Sequence, residues 1–129
     1  MQELEVYICD ICKNIVMFLQ KSFGKLTCCN EPMRKILPNS VQADTKKHMP
    51  IGVFDGDNII VEIGSIQHPM TEEHAIKWIY IVTDEGLAQK RDLNVGDIPK
   101  AIFQIGNAKR IDIYAYCNLH GLWKSTVEK

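Results

Sequence analysis

The sequence predicts an all-β chain in two parts, a small cysteine-rich piece over residues 1–36 and a β-sandwich or barrel over residues 37–129. Three observations carry this. Four of the five cysteines fall within the first thirty residues. Beyond them, short stretches rich in β-branched and aromatic residues alternate with Asp-Gly and Gly-Asp turn signals. No long amphipathic helix stands out anywhere.

The first part cannot build a useful apolar core, because chains below roughly 40 residues need a metal, disulfides or a partner to fold. Its cysteines, in "CDICKNIVMFLQKSFGKLTCC", give C-x-x-C, a fifteen-residue spacer and an adjacent pair. Two residues between Cys9 and Cys12 let the chain wrap back so that both sulfurs reach one ion. Cys28 and Cys29 are adjacent, and neighbours on a strand point to opposite faces. Both reach one ion only if the backbone turns between them. Four thiolates suit zinc or iron equally by spacing alone, and the vicinal pair fits a zinc ribbon poorly.

"ILPNSVQADT" (36–45) reads as a linker. "NIIVEIG", "IKWIYIVT", "AIFQIG" and "RIDIYAYC" read as strands, divided by the turn signals "FDGDN", "TDEGL" and "LNVGDIPK". In "IKWIYIV" both alternating sets are largely apolar, so that strand is expected to be buried, with Lys77 near an edge. Trp78 and Trp123 are expected in the core. Thr71 in "TEEHAIKW" can cap a short turn that ends on His74.

Composition limits the function. The hydrophobic fraction of 46% and charged fraction of 24% are those of a globular domain. A formal net charge of −1 gives no sign of a nucleic-acid or membrane-surface partner. No run of about eighteen apolar residues is present to span a membrane. "MQELEVYICD" is too polar for a signal peptide, so a cytoplasmic location with reduced thiols is expected.

All four histidines, His48, His68, His74 and His120, follow residue 45, and Cys117 stands three residues before His120. Sulfur dominates the first part and imidazole the second, which points to two sites of different kind. A single histidine is a poor guide to metal binding, but the set, with the isolated cysteine beside one member, is informative.

These residues lie in "KHMP", "HPMTEEHAIKWI" and "CNLHGLWK", and in this order, behind the cysteine quartet, they resemble the desulfoferrodoxin family, the two-iron superoxide reductases. The resemblance runs almost the full length. It implies a desulforedoxin-like domain with iron held by Cys9, Cys12, Cys28 and Cys29, then a neelaredoxin-like domain with an immunoglobulin-like β-sandwich. There it implies a second iron with four equatorial imidazoles, His48, His68, His74 and His120, an axial thiolate from Cys117, and an open sixth position. It further implies reduction of superoxide to hydrogen peroxide, Lys47 as a catalytic cation at the mouth of that position, a homodimer, and a rubredoxin-type electron donor. Backbone N–H groups over Asn118 to His120 are expected to bond the Cys117 sulfur. One departure stands out: the family's Glu-Lys-His is Lys46-Lys47-His48 here, so the carboxylate that closes the ferric site in the family is missing. A non-catalytic electron carrier and a zinc-stabilised binding module are the competing readings, separated by metal content and colour.

Overall fold

The computed structural model describes residues 3–129, in two compact units, Met1–Leu37 and Pro38–Lys129. Strands dominate both.

In the first unit β1 (Val6–Ile8) is the middle strand of a three-stranded antiparallel sheet, between β2 (Ile15–Met17) and β5 (Arg34–Ile36). A two-stranded hairpin, β3 (Thr27–Cys28) and β4 (Glu31–Pro32), completes it. Val6, Ile8, Cys9 and Ile36 are the buried apolar residues described here. Leu19 and Phe23 are fully exposed. The ion pairs of Glu5 with Lys21 and Lys35, and of Asp10 with Arg34, lie at the surface, where screening leaves them little effect on stability. Neither core nor charge therefore holds this unit together, as its length foretells.

The second unit packs a three-stranded sheet, β10-β7-β6, against a four-stranded sheet, β12-β11-β8-β9. The strands are β6 (Pro50–Asp55), β7 (Asn58–Ile63), β8 (Ile76–Thr83), β9 (Ala88–Asp92), β10 (Lys100–Gln104), β11 (Arg110–Cys117) and β12 (Gly121–Glu128). Every pairing is antiparallel, as in an immunoglobulin-type sandwich. Alternate residues fill the space between the sheets: Ile59, Val61 and Ile63 from β7, Ile79 and Ile81 from β8, and Ile111, Ile113 and Ala115 from β11. Gly52 on β6 permits a close approach, since a Cβ there would lie 2.6 Å from the Ile113 side chain.

Strands β8 and β11 coincide with the stretches read from sequence, β7 ends one residue short of its stretch, and β10 starts one residue before its stretch and ends two residues short of it. Strands β6 and β9 carry no such signal. "PIGVFD" holds Pro and Gly, and "AQKRD" is polar because β9 is a sheet edge that faces water. The linker ends in α1 (Thr45–His48), one turn capped by Asp44, whose side chain accepts from the Lys46 N–H.

Strand β8 differs from its expected packing. It lies inside its sheet, between β11 and β9, and Lys77 is the extra residue of a β-bulge: Tyr116 pairs with Trp78, but Cys117 pairs with Ile76. The bulge reverses the alternation, so Ile76 and Ile79 both face the core while Trp78 turns outward. Trp78 is only half-buried and stacks on Tyr116, with centroids 5.7 Å apart.

Candidate metal centres

In the first unit, the loop of the β1–β2 hairpin is the C-x-x-C segment itself. The Cys9 N–H donates to the Asn14 carbonyl at 2.9 Å, and the Lys13 N–H to the Cys9 carbonyl at 2.8 Å, with Lys13 at φ +69°. The Cys12 N–H points at the Cys9 sulfur, 3.4 Å away. The adjacent cysteines meet the requirement for a turn between them: Cys29 and Asn30 have φ of +53° and +63°, the two central residues of a type I′ hairpin turn. That turn brings Cys28 Sγ to 3.5 Å from Cys12 Sγ and 4.0 Å from Cys29 Sγ. All four sulfurs lie within 4.8 Å of one another.

Their acidities show what such crowding requires. The amide of Cys12, above all, holds the Cys9 thiol down to about 7. Hydrogen bonding to Cys12, then to Cys9 and Cys28, pushes Cys29 up to about 12. Four thiolates cannot share this space at neutral pH without a cation among them.

The second cluster gathers at one end of the sandwich. Three connections meet there: α1, just before β6, with His48; the β7–β8 loop, with His68 and His74; and the β11–β12 turn, with Cys117 and His120. The ligand atoms of His48, His74, Cys117 and His120 lie within 4.8 Å of one another. His68 joins through His48, their Nε2 atoms 3.0 Å apart.

The rings form a closed circuit. The successive pairs His48–His68, His68–His74, His74–His120 and His120–His48 are all edge-on, with interplanar angles from 75° to 86° and centroids 4.6 to 5.0 Å apart. His48 and His74 hold opposite corners, 30° from parallel and 6.3 Å apart. His68 and His120 occupy the other two corners. The Cys117 sulfur lies 3.9 Å from His120 Nδ1 and is fully buried.

Hydrogen bonds outside this circuit decide which nitrogens face inward. His48 Nδ1 lies 2.7 Å from the Asp44 carbonyl, and His68 Nδ1 lies 2.6 Å from the Pro69 carbonyl. Each Nδ1 therefore carries the proton, and each Nε2 presents a lone pair. Two lone pairs facing each other at 3.0 Å repel unless a cation lies between them. His74 Nε2 is also buried with no hydrogen-bond partner among the described residues. Burial lowers the proton affinity of His48 and His74, and takes His68 down to about 4, so these three imidazoles are neutral, as metal ligands must be. The donor set fits a metal ion.

The sulfur is tuned by its neighbours. Burial pushes the Cys117 thiol up, and the amides of Leu119 and His120 oppose this. The Asn118 N–H, expected to join them, goes instead to the Ala75 carbonyl at 3.3 Å. Thr71 does close a turn on His74, its Oγ1 accepting from the His74 N–H at 3.1 Å. Trp123, expected simply as core, is part of the site's wall. It stacks on His48 and donates Nε1–H to the His120 carbonyl at 3.1 Å. Its position three residues beyond His120 is the one sequence signal for that role. Lys47 is half-buried on α1, and its charge is among the smaller causes that lower the proton affinity of His48 and His74. Lys46 is exposed.

Known proteins resemble this chain. Residues 1–36 match the family described as Desulfoferrodoxin, N-terminal domain, and residues 40–126 match Desulfoferrodoxin. The chain is 43% identical to a desulfoferrodoxin of Syntrophotalea carbinolica over 124 residues, covering 96% of this chain and 97% of that one. It is 33% identical to a superoxide reductase of Pyrococcus abyssi over 103 residues, covering 64% of this chain and 87% of the other. Among solved structures, the superoxide reductase from Treponema pallidum superposes with a TM-score of 0.77 at 28% identity, covering 96% of this chain and 99% of that one. With both family regions matched in order, and a four-cysteine and a histidine–cysteine cluster formed where they fall, this chain belongs to the desulfoferrodoxin family.

Proposed function

We propose that this chain reduces superoxide to hydrogen peroxide at the histidine–cysteine centre. The closed circuit of four imidazoles beside one buried sulfur carries the reading. Held by these four histidines and Cys117, iron would supply the single electron that superoxide needs, together with two protons from water, to become hydrogen peroxide.

The residues do the rest. His48, His68, His74 and His120 are neutral donors, and Cys117 brings the one negative charge. A divalent ion in this set keeps a net positive charge, which favours an anionic substrate. Lys47 adds a cation at the same end of the sandwich and draws superoxide in, an effect that weakens with salt. Asp44 and Pro69 hold the His48 and His68 rings by their carbonyls. Trp123 shields the His48 ring from water.

Cys9, Cys12, Cys28 and Cys29 hold the first iron, which stabilises residues 1–36 as a separate folding domain ahead of 37–129. A small rubredoxin-type protein returns the electron. The protein works in the cytoplasm, as a homodimer. With lysine at position 46, no carboxylate is supplied there to close the oxidised centre, so small anions such as azide reach it. An azide titration of the oxidised protein that leaves the spectrum unchanged would refute this last point.

The decisive experiment mixes anaerobically reduced protein with superoxide and counts products. One peroxide per oxidised second centre, with no dioxygen released, is expected. Dioxygen and peroxide in equal amounts would mean dismutation. A protein that contains zinc and leaves superoxide untouched would mean a binding module.

A further inference from the structure

The four imidazoles are not held alike. His48 and His68 are fixed through their rings, each Nδ1 on a backbone carbonyl. The His74 ring has no such carbonyl among the described residues. Its direction depends on how firmly its own backbone is held.

Asn118 supplies the hold. Its Oδ1 accepts from the Ala75 N–H at 2.9 Å, and its Nδ2 donates to the Glu73 carbonyl at 2.8 Å. Its own N–H donates to the Ala75 carbonyl at 3.3 Å. These bonds bracket His74 on both sides. Strands β8 and β11 pair as far as Cys117 and Ile76, just beyond the bulge. There the strands part, and the Asn118 carboxamide takes the place of the next peptide group, with one donor and one acceptor in the order the ladder needs. Thr71 secures the same residue from within the loop, its N–H donating to the His74 carbonyl at 2.9 Å.

Asn118 also follows Cys117 directly and lies two residues before His120. One side chain thus ties the segment bearing His74 to the turn bearing the thiolate and another imidazole. We propose that Asn118 is a positioning residue: its carboxamide sets the direction of His74 relative to Cys117, and so the strength and shape of the ligand field at the second centre. Aspartate keeps the acceptor for Ala75 but has no donor for Glu73. Alanine keeps neither.

This rests on His74 being a ligand of the second iron, and the test separates the two claims. It uses the iron-loaded full chain as Asn118→Ala, Asn118→Asp, His74→Ala and the double variant His74→Ala/Asn118→Ala. Thr83→Ala is the control. Thr83 is a buried hydroxyl on β8 that accepts from the Glu85 and Leu87 N–H groups, so its loss also costs two hydrogen bonds. The readouts are the rate at which a chelator strips iron from the second centre and the thiolate-to-iron absorption band of the oxidised protein. Neither depends on turnover.

Asn118→Ala is expected to speed iron loss about tenfold or more and to move the band, as removal of a ligand's outer partner does elsewhere. Asn118→Asp should move both in the same direction by less, and carries the test if the alanine variant does not fold. Thr83→Ala should move neither. In the His74→Ala background, Asn118→Ala should add less than about a twofold change, because the residue through which it acts is gone. Wild-type behaviour of the Asn118 variants, an undiminished effect without His74, or an equal effect from Thr83→Ala overturns the proposal. If His74→Ala itself leaves iron retention and band unchanged, the ligand assignment falls and the proposal with it.

Discussion

The imidazole of His48 lies against the indole of Trp123, ring centroids 5.0 Å apart and planes 21° from parallel. The same indole donates its N–H to the His120 carbonyl, so one side chain braces two corners of the second centre. Trp123→Phe keeps an aromatic ring on His48 but leaves that carbonyl without its donor. It should cost about 1–3 kcal/mol. Trp123→Leu removes the stack as well and should cost about 3 kcal/mol or more. Denaturant midpoints of the two variants check the order, and the larger shift of the second-centre absorption band should belong to Trp123→Leu.

Gly64 is placed where no other residue fits. At φ +81°, a Cβ there would lie 2.5 Å from the Lys46 carbonyl oxygen and 2.7 Å from the carbonyl carbon of Lys47. Its N–H donates to the Met49 carbonyl, and the Ile66 N–H donates to that of Lys46, both at 3.0 Å. The β7–β8 loop therefore cradles the helix turn that carries Lys47 and His48. Gly64→Ala combines left-handed strain with a backbone clash and should cost about 2–4 kcal/mol. Iron loss from the second centre should quicken while the four-cysteine spectrum stays unchanged. A wild-type denaturation curve would contradict the close approach.

Asn30 tests the turn between the adjacent cysteines. Asparagine tolerates φ +63°, and a β-branched residue does not. Asn30→Val should cost about 1–2 kcal/mol at this turn and loosen the hold on Cys28 and Cys29. The check is iron retention at the first centre under a chelator, with the second centre as internal reference. Asn30→Gly should retain iron at least as well as the wild type.

Removing metal from both centres should affect the two units unequally. The first has few buried apolar residues, whereas the second keeps a continuous core from Ile59 to Cys117. Amide spectra of the metal-free protein should show residues 3–36 collapsed to coil positions and strands β6 to β12 still dispersed. Dispersed signals from both units would mean that the first unit folds without its metal.

Much of this was legible in the sequence because it depends on spacing and residue type. The cysteine quartet, the need for a turn at Cys28-Cys29, the strands at 76–83 and 110–117 and the ligand candidates are local in the chain. Periodicity reports local geometry directly. Strand β9 and Trp78 were not legible, since an edge position and a bulge are properties of pairing with distant residues.

Residue identity and order by themselves determined that two sulfur- and imidazole-rich sites exist, and of what chemistry. Only the tertiary structure decided how the second is built. Its histidines and its cysteine come from three connections far apart in the chain. Their mutual angles depend on the bulge at Lys77, the close approach at Gly64, the Trp123 stack and the Asn118 bridge. Each of these is a contact between segments, fixed when the two sheets pack and not by any one segment's own preference.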